Sequence, residues 1–352
     1  MRKNVFSLLL MAVSLPLWFS CASTLYMEAS APEEASLNLV KITDESNNSV
    51  LAGLMSYSNG YVDYVNTTMG ISRSNGVCWS TVNTLDVSPD GSKIAYLTRM
   101  NKQDNVMVRG VKSVGTATQR TFRNVGSFSW GADNKLYFSD YNLTGGYNYN
   151  RSASSYNSYI CSVNAEAGSL MSQHTNGVVN DVDPVLSHDG ETLYFVRGGS
   201  NGPSIWSLGK DGTLTSCARG YNPCLIKGNN NAFYCVRNSS EGRSEIWYVD
   251  FVKGQENLVL ADKNRSFTNP RLSPDGKWIV CVGNSVSSIS QKQNLDIYVV
   301  AVDGTHLTQL TYHPQTDTCP VWAADGRSIY FISDRANETR SFNIWRMNFN
   351  LE

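Results

Sequence analysis

A tight Asp-Gly turn between two short apolar runs recurs along this 352-residue chain. The clearest copy spans residues 269–280, NPRLSPDGKWIV. Pro274 presets φ for the turn, Asp275 can cap it, and Gly276 takes a positive φ that would strain other residues. Pro270 stands at a strand start, where a missing N–H does no harm. Two further strands follow, at residues 295–300 and 307–311, separated by Asp303-Gly304. The pattern predicts one four-stranded antiparallel unit.

That unit is repeated six times. The copies open at Leu85, Phe128, Pro184, Pro223, Pro270 and Pro320, and each continues into a second apolar strand such as residues 94–97, 136–138 or 193–195. The fourth copy is degenerate, with Gly228-Asn229-Asn230 as its turn. The 267 residues from Asp86 to Glu352 give about 44 per repeat, the length of a four-stranded propeller blade. The sixth copy runs out of chain after three strands. Residues Leu39 to Thr43 match the fourth-strand pattern of Leu307 to Thr311 and have no strands of their own before them. The expectation is an all-β, six-bladed β-propeller of four-stranded antiparallel blades. Its C-terminal blade would be completed by the N-terminal strand Leu39–Thr43, which closes the ring and removes a sheet edge.

Ser-Pro-Asp-Gly turns, Ile-x-Tyr second strands, Ile-Tyr/Trp-x-Val third strands and a Leu-Thr-x-Leu-Thr fourth strand together resemble the TolB-like propeller family over residues 37–352. The resemblance implies a propeller of the cell envelope. TolB itself carries an α/β domain before its propeller, where this chain has a leader and a tether.

Residues 1–20 read as a secretion signal, with Arg2 and Lys3 before an apolar run from Val5 to Leu17. Cys21 follows at once, as in a bacterial lipoprotein, and is the expected lipidation site. Cleavage after Ala22 is the alternative. Residues 21–36 are then the lipidated cysteine and a flexible tether, and residues 37–352 the propeller. Localisation would be the bacterial envelope, periplasmic or surface-exposed, as an outer-membrane lipoprotein. Seven further cysteines make an odd number in the mature chain apart from Cys21, so a disulfide-stapled scaffold is not expected. Cys224 and Cys235 flank a turn and could pair; otherwise Cys161, Cys224, Cys235, Cys281 and Cys319 are small buried strand residues.

A formal net charge of −1 with only 17% charged residues argues against nucleic acid as a partner. Turns between first and second strands lie on one face of the disc. Second-to-third loops and blade connections lie on the other. The connection from Thr43 to Ser88, with Tyr57, Tyr61, Tyr64 and Met69, and the second-blade loop carrying Tyr141, Tyr147, Tyr149 and Tyr156 are the long ones. Both fall on that second face, and Tyr with Asn and Ser suits recognition. Asp183, Asn222, Asn269 and Asp317, each near a proline, are expected around the central funnel there. Arg99, Arg197, Arg237 and Arg335 end or follow second strands nearby. Together they form a candidate site for an anionic or peptide ligand, or else tie adjacent blades to one another.

No catalytic residue, cofactor or metal is expected. Gly70-Ile71-Ser72-Arg73-Ser74 lacks the second glycine of a nucleophile elbow. His188 and His306 fall in turns, while His174 and His313 are expected on the other face, about three blades apart. HExxH, CxxC, phosphate-loop and dinucleotide motifs are absent. The function read from the sequence is a non-enzymatic envelope binding or scaffold protein, recognising a protein or peptide partner through the funnel and the Tyr-rich loops. A glycan-binding surface lipoprotein and a propeller-type polysaccharide lyase or hydrolase are the alternatives.

Overall fold

The structure is a computed structural model that describes residues 29–44, 50–58, 61–67, 79–101, 103–112, 116–141, 158–166, 170–199, 201–286, 293–336, 339 and 341–349. Its turns form where proline, aspartate and glycine demand them. In the fifth blade Gly276 has φ +73°, Ser273 Oγ donates to Asp275 Oδ1 at 2.6 Å, and Lys277 N donates to the same oxygen at 3.1 Å. Ser88–Asp90 and Ser187–Asp189 repeat this arrangement.

Among the described residues, six four-stranded antiparallel sheets follow one another around the ring. Their innermost strands are Leu85–Val87, Val125–Trp130, Asp181–Leu186, Tyr221–Ile226, Phe267–Leu272 and Asp317–Trp322. We number the blades 1 to 6 in that order. The apolar residues of each sheet meet those of its neighbours, as where Val280 and Val282 of blade 5 join Trp322, Phe331 and Trp345 of blade 6 in one cluster. Alternation along a strand sends successive side chains to the two sheet faces, so each blade packs on both sides.

The ring closes as the repeat count predicts. Val40–Lys41 pairs antiparallel with Asn343–Asn348, Val40 opposite Arg346 and Lys41 opposite Trp345. The tether expected over residues 21–36 ends earlier than residue 36. Pro32–Leu37 forms a 3-10 turn with Glu34 fully buried, because Glu34 meets the guanidinium of Arg335 there. The boundary drawn at residue 37 therefore falls inside docked chain.

A seventh sheet was not foreseen. Ala52–Ser58, Tyr61–Thr67 and Trp79–Val82 form a three-stranded antiparallel sheet with the first of these in the middle. It lies within what the sequence reading takes as one long connection. The alternating run Tyr61-Val62-Asp63-Tyr64-Val65 after Asn59-Gly60 is the signal for this hairpin.

Candidate functional site

Among the described residues the innermost strands of blades 2 to 6 each carry a bulge. That of blade 2 lies between Val125 and Phe128, and the other four share one sequence pattern. Between Val182 and Val185 the register with the second strand slips by one residue, and the same slip occurs at Tyr221/Cys224, Thr268/Arg271 and Thr318/Val321. The bulge residues Asp183, Asn222, Asn269 and Cys319 have φ between +49° and +53°, and each precedes a proline. Proline disfavours the right-handed helical region for the residue before it. Asp and Asn enter the left-handed region at lower cost than most residues, and an extra strand residue needs such a kink. Asp317 does not hold the fourth of these positions. Cys319 does, and Asp317 corresponds to Asp181 of blade 3.

The bulge residues tie the blades around the axis. Asp183 N donates to Ser127 Oγ at 3.1 Å, Asn222 Nδ2 to Asp183 Oδ2 at 3.0 Å, and Asn269 N to Asn222 Oδ1 at 3.2 Å. Blades 2 to 5 are thus linked in order. The gap is closed by the segment that leaves the seventh sheet. Thr81 Oγ1 lies 3.0 Å from Thr268 Oγ1 of blade 5, Cys319 Sγ of blade 6 donates to Val82 O at 3.2 Å, and Phe128 N of blade 2 donates to Asn83 O at 3.1 Å. Val82, fully buried, joins Val182, Val196 and Tyr221 in the apolar cluster of blades 3 and 4. Residues 81–83 therefore occupy the axis and plug the funnel.

That plug changes the standing of the funnel residues. Asp183, Asn222 and Asn269 are buried beneath it and bonded to one another, which corrects the expectation of an open funnel mouth. Burial pushes the Asp183 carboxyl above its usual range, against the pull of Asn222 and Arg271.

The four arginines are also engaged, and within blades rather than between them. Arg99 makes two bonds to Asp104, at 2.7 and 3.1 Å, and Arg197 two to Asp181, at 2.7 and 2.9 Å. Arg237 makes two to Glu256, both at 2.8 Å. Such forked pairs are strong and directional. Arg335 is fully buried and shared between Asp317 and Glu34, at 2.8 Å from Glu34 Oε2. Asp317 and Arg335 are therefore closed to a ligand by the docked N-terminal turn. Tyr141 ends the second strand of blade 2; Tyr147, Tyr149, Tyr156, Met69 and Cys21 lie outside the described residues. Cys224 and Cys235 are unpaired and buried, as are Cys161, Cys281 and Cys319, which favours the reading of these cysteines as strand residues.

The two faces differ in what they expose. On the connection face, Phe122 (70% exposed) lies between blades 1 and 2, and Val178 (71%) and Val179 (37%) lie between blades 2 and 3. These residues sit on the connections that enter and leave blade 2, the blade whose second strand leads into the Tyr-rich loop. On the turn face, a cleft of about 510 Å³ lies between blades 2 and 3. His174 lines it with His188, which corrects the placement of His174 on the far face. Its ring sits 5.4 Å from that of Tyr137 and its Nε2 lies 2.8 Å from Ser162 Oγ. Burial pushes both histidines below their ordinary range, so both are neutral near pH 7. Among the described residues no three His, Cys, Asp or Glu side chains gather as metal ligands would.

The fold and its axial ties define a six-bladed propeller with an internally plugged funnel. Residues 219–351, spanning blades 4 to 6, match the family model of the TolB beta propeller domain. Three solved structures share the fold. Putative TolB from Agrobacterium tumefaciens superposes with a TM-score of 0.53 at 14% identity, over 87% of this chain and 100% of that one. TolB from Acinetobacter baumannii gives 0.52 at 15% identity over 77% of this chain, which spans 65% of that protein's length. Oligogalacturonate lyase from Vibrio parahaemolyticus gives 0.53 at 10% identity, over 90% and 95% of the two chains.

Proposed function

We propose that this chain is a non-enzymatic binding or scaffold protein of the cell envelope, exported by residues 1–20 and anchored by a lipid on Cys21. It recognises a protein partner on its connection face, around the second-blade loop. The observation that supports this reading is the exposure of Phe122, Val178 and Val179 on two neighbouring connections of that face. Exposed apolar groups on adjacent connections suit an interaction surface. The paired arginines and the plugged axis direct recognition away from the funnel and toward this rim.

The test is a double variant, Phe122→Ser with Val178→Ser, compared with the parent in crosslinking recovery from envelope membranes. Both residues are solvent-exposed, so the melting temperature should stay within a few degrees. Recovery of a discrete partner should fall at least about tenfold, the loss expected for removing one interface anchor. Undiminished recovery rejects the surface. Retention on a polysaccharide array that Tyr147→Ala and Tyr149→Ala abolish would favour a glycan ligand instead.

A further inference from the structure

The N-terminal segment is fastened to the disc at one place. Glu34 accepts hydrogen bonds from Ala31 N at 2.8 Å, Tyr312 N at 2.6 Å and His313 N at 3.1 Å, and from both terminal nitrogens of Arg335. Arg335 Nη1 also donates to Ala29 O at 3.0 Å. Tyr312 and His313 belong to the connection from blade 5 to blade 6, and Arg335 follows the second strand of blade 6, Ser328–Ser333. All three stand on the connection face, so the chain at residue 29 meets the disc at that face.

Seven residues, 22–28, lie between Cys21 and Ala29, and eight fully extended residue steps reach about 29 Å at most. The second strands of the blades run six to ten residues, so the turn face lies roughly 20–30 Å further along the axis. A tether this short, leaving from a buried five-bond clasp, must be almost fully extended along the side of the disc before the turn face can meet a bilayer. The connection face of blades 5 and 6 meets it with the tether slack.

We infer that the connection face of blades 5 and 6 is the membrane-proximal part of the molecule. The partner recognised on that face is then the extramembrane portion of an envelope protein that lies close to the lipid headgroups. The inference rests on the lipid anchor proposed at Cys21. It deepens the proposed function, because a partner must enter a gap bounded on one side by the bilayer. Tyr312, 42% exposed on the connection between those two blades, stands at the edge of that gap.

The experiment uses the full-length lipidated protein in liposomes whose headgroups carry a photoactivatable diazirine on a spacer no longer than the tether. Intact mass first reports the lipid on Cys21. Adducts at Tyr312, the exposed residue of that connection, should then exceed those at the turns 303–306 and 325–327 of the same blades several-fold. Inserting about twenty Gly and Ser residues between Thr24 and Leu25, which behave as flexible coil, should abolish that bias while leaving the lipid and the melting temperature unchanged. A lipid present with equal labelling of both faces overturns the orientation and leaves the anchor standing. A bias that survives the insertion overturns the tether as its cause. No lipid on Cys21 overturns anchor and orientation together.

Discussion

Blades 3 and 6 each set an arginine on the equivalent strand aspartate, but from different positions. Arg197 stands opposite Asp181, whereas Ser333 stands opposite Asp317 and Arg335 follows two residues later. In blade 3, Arg197 forks onto Asp181, lies 4.9 Å from the Trp206 ring and keeps 16% of its side chain exposed. In blade 6, Arg335 lies 5.3 Å from Phe331 and has no exposure, because Pro32–Leu37 covers it and supplies a second carboxylate. The first pair is thus a mostly buried tie within a blade. The other is the buried fastening of the N-terminal segment. Position in the repeat sets the aspartate; a carboxylate 301 residues away completes the burial of the arginine in blade 6.

The comparison is most exposed to Arg335→Ala. It leaves Glu34 and Asp317 buried without their cation, which should cost about 3–5 kcal/mol in denaturant unfolding. Hydrogen exchange at residues 32–43 should rise with it. Arg197→Ala leaves Asp181 nearer to water and should cost about 1–3 kcal/mol. Equal losses in the two variants would break the contrast.

A pH series sharpens it. Burial first, and then Glu34, pushes the Asp317 carboxyl up to about 6 against the opposing pull of Arg335. A carboxyl raised in the folded state holds its proton more tightly there than when unfolded. Its stabilising contribution is complete below the ordinary value of 3.8 and lost as pH rises through about 6. Between those values the parent should lose stability relative to Asp317→Asn, in which this slope disappears; parallel profiles would refute the shift. The turn aspartates carry the opposite sign. Hydrogen bonds from Ser88 and Ser187 hold Asp90 and Asp189 near 2, so their contribution is present above 3.8 and lost as pH falls toward 2.

The smallest effect is expected at the turn of residues 273–276. Asp275→Ala removes its bonds to Ser273 and Lys277 and should cost about 0.5–1.5 kcal/mol, read as a modest drop in denaturation midpoint. Partner recovery should not change, since the turn faces away from the connection face.

Much of the fold was legible because its signals are local. Ser-Pro-Asp-Gly dictates a turn wherever it occurs, alternating apolar residues dictate strands, and counting them left one strand over and one missing. The closing pair between Val40 and Arg346 follows from that count. The seventh sheet was legible in Asn59-Gly60 but hidden by reading the whole stretch as a connection.

The candidate site was far less legible. Asp183, Asn222 and Asn269 were found as a set because proline follows each, yet their task as bulges differs from ligand binding. Cys319 escaped notice because cysteine seldom takes a positive φ. Sequence also marked Arg197 and Arg335 without their partners, and it separated His174 from His188, which share one cleft.

The sequence by itself determined the number of blades, their turns and the strand that completes the ring, since each depends on residues adjacent in the chain. Only the tertiary structure decided that residues 81–83 fill the axis and that Glu34 buries Arg335. Those outcomes depend on which side chains lose their water when distant segments meet, and desolvation is a property of the assembled molecule.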